Sequence, residues 1–349
     1  MLSLEPVASP ADIRDEWDRL ATASGNVFGT WEWATAWERH LGKGRPLALY
    51  ACRRADGEVA AVLPLYLTAM RPVRLLRFLG HGPADQLGPV CSGADAPAVA
   101  RALLELVRLR PLGARGLLAE RLPADQNWAE LLGPGRLRRE SSPVLDTAGR
   151  SWNEFVASRS RNFREQVGRR ERKLGREHRL SIRLTTDTAR LDDDFDTFVR
   201  LHALRWGQES AFTGARARFH RDFAHLSLER GWLRLWLLEV DGSAVAAWYG
   251  FRFAGIDSYY NASRDPAWDS RSVGFVLLTH TIRTAFEDGM KEYRFLLGDE
   301  PYKDRFAGRD PGLETVLVGP RSLARAAAIG AAAAAVLPAR GRRLLKRLG

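Results

Sequence analysis

The chain has 349 residues and a mass of 39.0 kDa, with 45% hydrophobic and 27% charged residues. That length suggests two domains, and the composition excludes a mainly disordered, collagen-like, coiled-coil or disulfide-framework protein. The formal net charge is +11, and it is unevenly placed: Arg159–Arg179 holds nine basic and three acidic residues, and residues 321–349 hold seven basic and none acidic. Those two segments account for more than the whole excess, so the rest of the chain is near neutral. Such segments favour an anionic partner, namely phosphate, nucleic acid, anionic lipid or polysaccharide; solvated helix faces are the equal alternative.

Taken in chain order, Ser9-Pro10 reads as a helix cap and first helical residue. A second helix is predicted over Thr30–Leu41, with Trp31, Trp33 and Trp37 as packing. Strands Leu47–Arg54 and Val59–Thr68 flank Asp56-Gly57, a hairpin signal because this pair tolerates positive φ. A strand at Val73–Leu79, a helix at Ala98–Leu109 and a strand at Gly116–Glu120 follow. Trp152–Arg179 reads as a basic two-helix segment, and Leu191–Trp206 and Ala215–Arg230 as two more helices. Strands Leu233–Val240 and Ala244–Phe253 then flank Asp241-Gly242. Ile256–Ala262 is a strand, Val273–Asp288 a helix and Glu292–Leu297 a strand. Both halves therefore read strand, hairpin, strand, strand, helix, strand, which points to two copies of one α/β unit. The boundary is drawn at Gly149-Arg150, giving domains 1–150 and 151–318 and a basic Ala-rich tail, 319–349.

The first residues lack the basic and apolar regions of a signal peptide. No run reaches the roughly 18–20 apolar residues of a membrane helix. Cys52 and Cys91 lie in apolar runs and read as reduced, buried thiols. The expected location is cytoplasmic.

Common catalytic signatures are missing: there is no Gly-x-Ser-x-Gly, no Walker lysine loop and no His-Glu-x-x-His. His220 and His225 are five apart and do not share a helix face, so no metal is expected. Two segments remain. Arg271-Ser272-Val273-Gly274-Phe275-Val276 stands where a loop enters a helix. Backbone N–H groups there point outward with partial positive charge, and a small residue lets a pyrophosphate approach. An ordinary helix cap is the alternative. The second segment is Phe295–Phe306, a strand end followed by crowded polar and ring-bearing residues. Asp299 or Glu300 suits a general base, Tyr302 a general acid, and Lys303, one of only five lysines beside 48 arginines, a phosphate or carbonyl contact. A turn with an internal salt bridge is the alternative.

The order hairpin, strand, Arg-x-x-Gly, helix, strand resembles the GNAT acyltransferase fold. More closely, the chain resembles bacterial acetyltransferases associated with cellulose and exopolysaccharide biosynthesis, relatives of the Fem-type aminoacyltransferases. The similarity is carried by Trp31–Gly42 with AVLPLYL (61–67) and LRFLG (76–80), by RNFR (161–164), by LHALRW (201–206) and, most specifically, by GDEPYKDRF (298–306). The resemblance implies an α/β (α+β) chain of tandem GNAT-like domains, each a mixed, mostly antiparallel twisted sheet flanked by helices. It implies acetyl-CoA as co-substrate, no metal, and a small-molecule or glycan acceptor bearing an amine or hydroxyl. Arg271, Ser272, Val273, Gly274 and Val276 would hold the pyrophosphate, and the strand bearing Tyr259 and Tyr260 would polarise the thioester carbonyl. Asp299 or Glu300 would take the proton, Tyr302 would protonate the thiolate, and Lys303 would bind an anionic group. Arg161, Asn162, Arg205, Trp206, Tyr259 and Tyr260 would meet the acceptor. The sequence departs from the pattern at Val276, where Gly or Ala is usual, and at Arg294, where relatives often have Asp. Two other readings stand: aminoacyl transfer from charged tRNA, and a non-catalytic adaptor. Nucleic acid is otherwise not an expected partner. The basic helix reads as lining an acceptor groove or as scaffold, and residues 321–349 as a segment lying on an anionic membrane surface or as a disordered tail.

Overall fold

The computed structural model describes residues 2–70 and 73–320; the expectations for residues 321–349 lie outside the described residues. In chain order, β1 (Ser3–Pro6), α1 (Arg14–Ser24) and α2 (Trp31–Leu41) lead to β2 (Leu47–Arg53), β3 (Val59–Met70), β4 (Val73–Phe78) and the short β5 (Val90–Cys91). Then come α3 (Ala96–Leu109), β6 (Leu117–Pro123), α4 (Trp128–Leu132) and β7 (Arg136–Glu140). The second series is β8 (Val144–Asp146), α5 (Trp152–Ala157), α6 (Arg161–Glu177), β9 (Leu180–Leu184), α7 (Thr188–Trp206) and α8 (Gly214–Glu229). It continues with β10 (Leu233–Val240), β11 (Ser243–Phe253), β12 (Ile256–Arg264), α9 (Val273–Glu287), β13 (Glu292–Arg294), α10 (Pro301–Asp304) and finally β14 (Leu313–Val318).

Among the described residues these elements form two compact units, residues 2–141 with 311–320, and residues 142–310. The first unit has the sheet order β1-β2-β3-β4-β6-β14-β7, with β5 beside β3; the second has β8-β13-β12-β11-β10-β9. The repeat is therefore visible as strand, two helices, three antiparallel strands, helix, parallel strand. It runs β1-α1-α2-β2-β3-β4-α3-β6 in one unit and β9-α7-α8-β10-β11-β12-α9-β13 in the other. The unit bounds differ from the division drawn at 150 and 318, because each half gives a strand to the other unit's sheet. β8 follows β7 in the chain but pairs with β13, and β14 follows α10 but pairs with β6 and β7. Three- to six-residue strands carry too little periodicity to be assigned a partner from sequence.

Local chemistry explains the elements. Ser9 caps through Ala11 N–H and forms a capping box with Asp12, and Thr30 Oγ1 accepts from Trp33 N–H at 3.3 Å to start α2. Trp33 and Trp37 are fully buried, as packing residues should be. Asp241 and Gly242 both adopt positive φ (51° and 84°), so the β10–β11 turn matches the right-handed strand twist. Cys52 and Cys91 are free and buried, and burial pushes both thiols up to about 12.

In the second unit one sheet face packs Trp248 and Tyr293, with Phe295 just beyond β13, against Leu277, Ile282 and Phe286 of α9 in a single apolar cluster. On the other face, Tyr249 packs against Phe195 and Phe198 of α7, and Phe251 against Phe223 of α8. This face assignment positions the site.

Candidate active site

The central feature is a pair of parallel strands that separate. β12 pairs with β13 at Ile256–Glu292, Asp257–Tyr293 and Ser258–Arg294 only. β12 runs on to Arg264 while β13 ends at Arg294, so residues 259–264 present a backbone edge beyond the pairing. Next to its last paired residue β12 has a bulge: the register with β11 shifts between Tyr249 and Gly250, leaving Tyr260 as the extra residue. A bulge bends the strand and re-aims its side chains. The closed end is held by Arg252, which donates to both oxygens of Asp257 (2.7 and 2.8 Å) and to Asp288 (2.6 Å).

Beyond β13 the chain turns sharply. Leu296 takes a positive φ of 56° although it is not glycine, a strained conformation that surrounding packing must impose. At Gly298 (φ 123°) an added Cβ would strike Glu300 Oε2 and lie 3.0 Å from Lys303 Nζ. The ammonium of Lys303, whose residue is 2% exposed, donates to Leu297 O (2.9 Å) and Gly298 O (3.4 Å) and pairs with Glu300 Oε2 (2.8 Å). An ammonium has three N–H bonds, and these three acceptors account for them. Lys303 is thus placed as a clamp on its own loop, not as an open anion contact. Glu300 is exposed and engaged by Lys303; Asp299 is exposed.

Tyr302 faces Tyr259 across the opening, with ring centroids 6.4 Å apart and nearly perpendicular, and the two phenols hydrogen-bond. Burial, then the neighbouring Tyr259, drives the Tyr302 phenol well above the usual range. Burial also raises Tyr259, opposed by the Tyr302 hydrogen bond and by Arg205. Both phenols therefore stay protonated across the physiological range. Partial desolvation, then the nearby Arg264, holds the Arg205 guanidinium below its usual value. The structure thus brings together Arg205, Tyr259, Glu300, Tyr302 and Lys303.

α9 starts beside this group. Val273 and Val276 are buried in the core, so only their backbone can serve a ligand. Ser272 takes a left-handed conformation and makes no side-chain cap, contrary to the ordinary-cap alternative. Phe275 and Val276 N–H both bond Ser272 O (3.0 and 3.1 Å), leaving the Val273 and Gly274 amides ahead of the first intrahelical bonds. A Cβ on Gly274 would come 3.3 Å from Arg264 Cδ. Glycine therefore keeps a small cradle open between the helix start and Arg264, a residue that sequence reasoning missed. Its signal was modest: a lone arginine ending a strand. Arg264 itself pairs with Asp269.

Five other candidates are placed elsewhere. Arg271 pairs with Glu177 at the end of α6. Arg161 is 86% exposed and pairs with Glu165 at 2.8 Å, and Asn162 accepts from Gln166 at 2.8 Å, both contacts lying within the first turns of α6. Tyr260 points to the opposite sheet face, its Oη 3.3 Å from His220 Nε2. Trp206 lies at the end of α7, exposed and stacked on His202.

The first unit repeats the geometry but fills it. β4 and β6 pair in parallel at Leu76–Leu117, and beyond that point Leu87 N–H donates to Arg121 O at 3.1 Å while Arg121 donates to Ala84 O. Arg77 and His81 both pair with Glu120, at 3.0 and 3.2 Å. At the start of α3 stands Asp95, held by Arg54 (2.5 Å) and Ser92 (2.8 Å), and Pro97 removes an amide.

Residues 161–304 match the acetyltransferase (GNAT) domain family. FemX superposes with a TM-score of 0.62 at 12% identity, covering 91% of this chain and 96% of its own. The C-terminal domain of a putative lysylphosphatidylglycerol synthetase from Agrobacterium fabrum gives 0.59 at 11% identity, covering 93% and 97%. A protein of unknown function from Bacteroides thetaiotaomicron gives 0.59 at 12% identity, covering 91% and 99%. No curated protein matches the sequence. At such identities the structural likeness establishes the fold alone, two mixed α/β units; within the second unit, residues 161–304 match the acetyltransferase (GNAT) domain.

Proposed function

We propose that the second unit moves an acyl group, most simply acetyl, from CoA to an amine or hydroxyl of a polar acceptor used in cell-envelope or exopolysaccharide synthesis. The observation that carries this reading is the open β12 edge beside a helix start kept clear by Gly274. The bound thioester supplies an activated acyl carbon, so the protein needs to position, polarise and move a proton. The Val273 and Gly274 amides and Arg264 receive the pyrophosphate. Backbone N–H groups of residues 259–264 polarise the carbonyl. The acceptor forms its bond to the acyl carbon, the C–S bond breaks, and the acceptor's proton leaves through water to Asp299. Tyr302 donates a hydrogen bond to the developing thiolate; its raised pKa suits a donor that keeps its proton. Lys303 and Glu300 hold the loop that carries Tyr302.

A second reading, aminoacyl transfer from charged tRNA, draws on the Fem-type resemblance and on α6. The three acids of α6 are all engaged by arginines, which leaves Arg164, Arg169, Arg172 and Arg176 exposed as the clustered cations that RNA binding needs. The test is thiol release from acetyl-CoA against a panel of amino sugars and polyols, run beside acyl transfer from charged tRNA. Acceptor-dependent thiol release supports the first reading. Transfer from tRNA without thiol release replaces it.

A further inference from the structure

The last turn of α7 is unlike the rest of the second unit's surface. Leu204 is 52% and Trp206 45% exposed, and no other large apolar side chain of this unit is so exposed among the described residues. The helix ends there because Gly207 takes a positive φ of 54°, and the chain then turns through Gly207–Glu209 into α8. Around this tip Arg200, Arg205 and Arg218 are exposed, and none of them pairs with a carboxylate among the described residues. Farther along α8, Arg221 is half-buried and taken by Asp192 and Asp196.

We propose that this tip docks on an anionic lipid surface. An exposed Trp and Leu gain by entering the headgroup–acyl boundary, while unpaired arginines are drawn to the negative surface potential. RNA would also attract arginines and stack on Trp206, but it offers nothing to the aliphatic Leu204. Arg205 joins the tip to the site, being close enough to Tyr259 and Tyr302 for its charge to act on both. Docking would therefore present the strand opening to an acceptor held at the bilayer. This last step rests on the proposed transferase reading; the docking itself does not.

The test must separate this tip from the basic residues 321–349, so the readout is local. Leu204→Cys is labelled with an environment-sensitive fluorophore on the full chain, the native cysteines being buried; Glu105→Cys, exposed on α3, is the control. Vesicles of 30% phosphatidylglycerol in phosphatidylcholine should blue-shift the label at 204 and not at 105, and pure phosphatidylcholine should do so weakly. Each arginine near an anionic surface is worth about fivefold in binding, so Arg200→Gln with Arg218→Gln should weaken the response at 204 at least about tenfold. High salt should weaken it as well. Vesicle binding with no shift at 204, or a shift produced by tRNA in place of vesicles, overturns the proposal. Circular dichroism of each variant confirms that these exposed substitutions leave the fold intact.

Discussion

Replacing Lys303 by Met separates two roles that the residue type alone leaves open. In the structure its ammonium is spent on Leu297 O, Gly298 O and Glu300. Hydrogen bonds from a charged group contribute about 1.5–3 kcal/mol each. The Glu300 side chain is 55% exposed, so that pair contributes little, and the two carbonyl bonds dominate. A buried methionine would recover part of the loss by apolar contact. We therefore expect a net destabilisation of about 3 kcal/mol, which in a unit of this size lowers its melting transition by about 6–12 °C. Calorimetry of wild type and Lys303→Met reads this directly, and turnover should fall with KM for the donor little changed, because the loop carrying Tyr302 loosens. A variant with unchanged melting and a KM raised tenfold or more would refute the clamp. Lys303 would then contact a substrate anion, as the family resemblance implied.

Other consequences follow from the same coordinates. Tyr302→Phe should lower kcat about 100-fold, the scale of losing one donor to a developing anion, while changing folding by about 1 kcal/mol; unimpaired turnover would remove this phenol from the chemistry. His202 is buried against Ser210 and its pKa is pushed down to about 4 by burial and then by Arg205. The unfolded chain binds the proton first, so this contribution to stability is full above about pH 6.5, falls on acidification toward pH 4 and is lost below it. Discounted for partial solvation, the loss is on the order of 2 kcal/mol, and His202→Asn should flatten that part of the pH profile of urea unfolding. Deleting residues 311–349 removes β14 from between β6 and β7. The first unit should then lose its cooperative transition while the second keeps its own. Two intact transitions would contradict the strand exchange.

Much of the architecture was legible because its signals are local. The Asp-Gly hairpin at 241–242, the 3.6-residue periodicity of α9 and the alternation of β10 all lie within short windows. The exchange of β8 and β14 was not legible, since pairing across more than a hundred residues leaves no local mark. The site divided in the same way. The resemblance in residues 298–306 picked out the loop, but Lys303 there closes on its own carbonyls, which depends on the positive φ of Leu296 and Gly298. Tyr259 and Tyr260 were grouped together in sequence, but neighbouring strand residues alternate, and Tyr260 turns to His220 on the opposite face. Arg161 and Asn162 sit in a similarity motif, yet their side chains pair within α6. Arg264 had no motif and became visible only against Gly274.

The central claim is that one donor site exists, in the second unit, at the start of α9. Titration calorimetry with acetyl-CoA tests it most directly. The account predicts one site per chain, abolished by Gly274→Trp, which fills the space beside Arg264. Two sites per chain, or binding that survives Gly274→Trp, would contradict the placement. Absence of binding by the wild-type chain would contradict CoA as the donor and turn attention to charged tRNA.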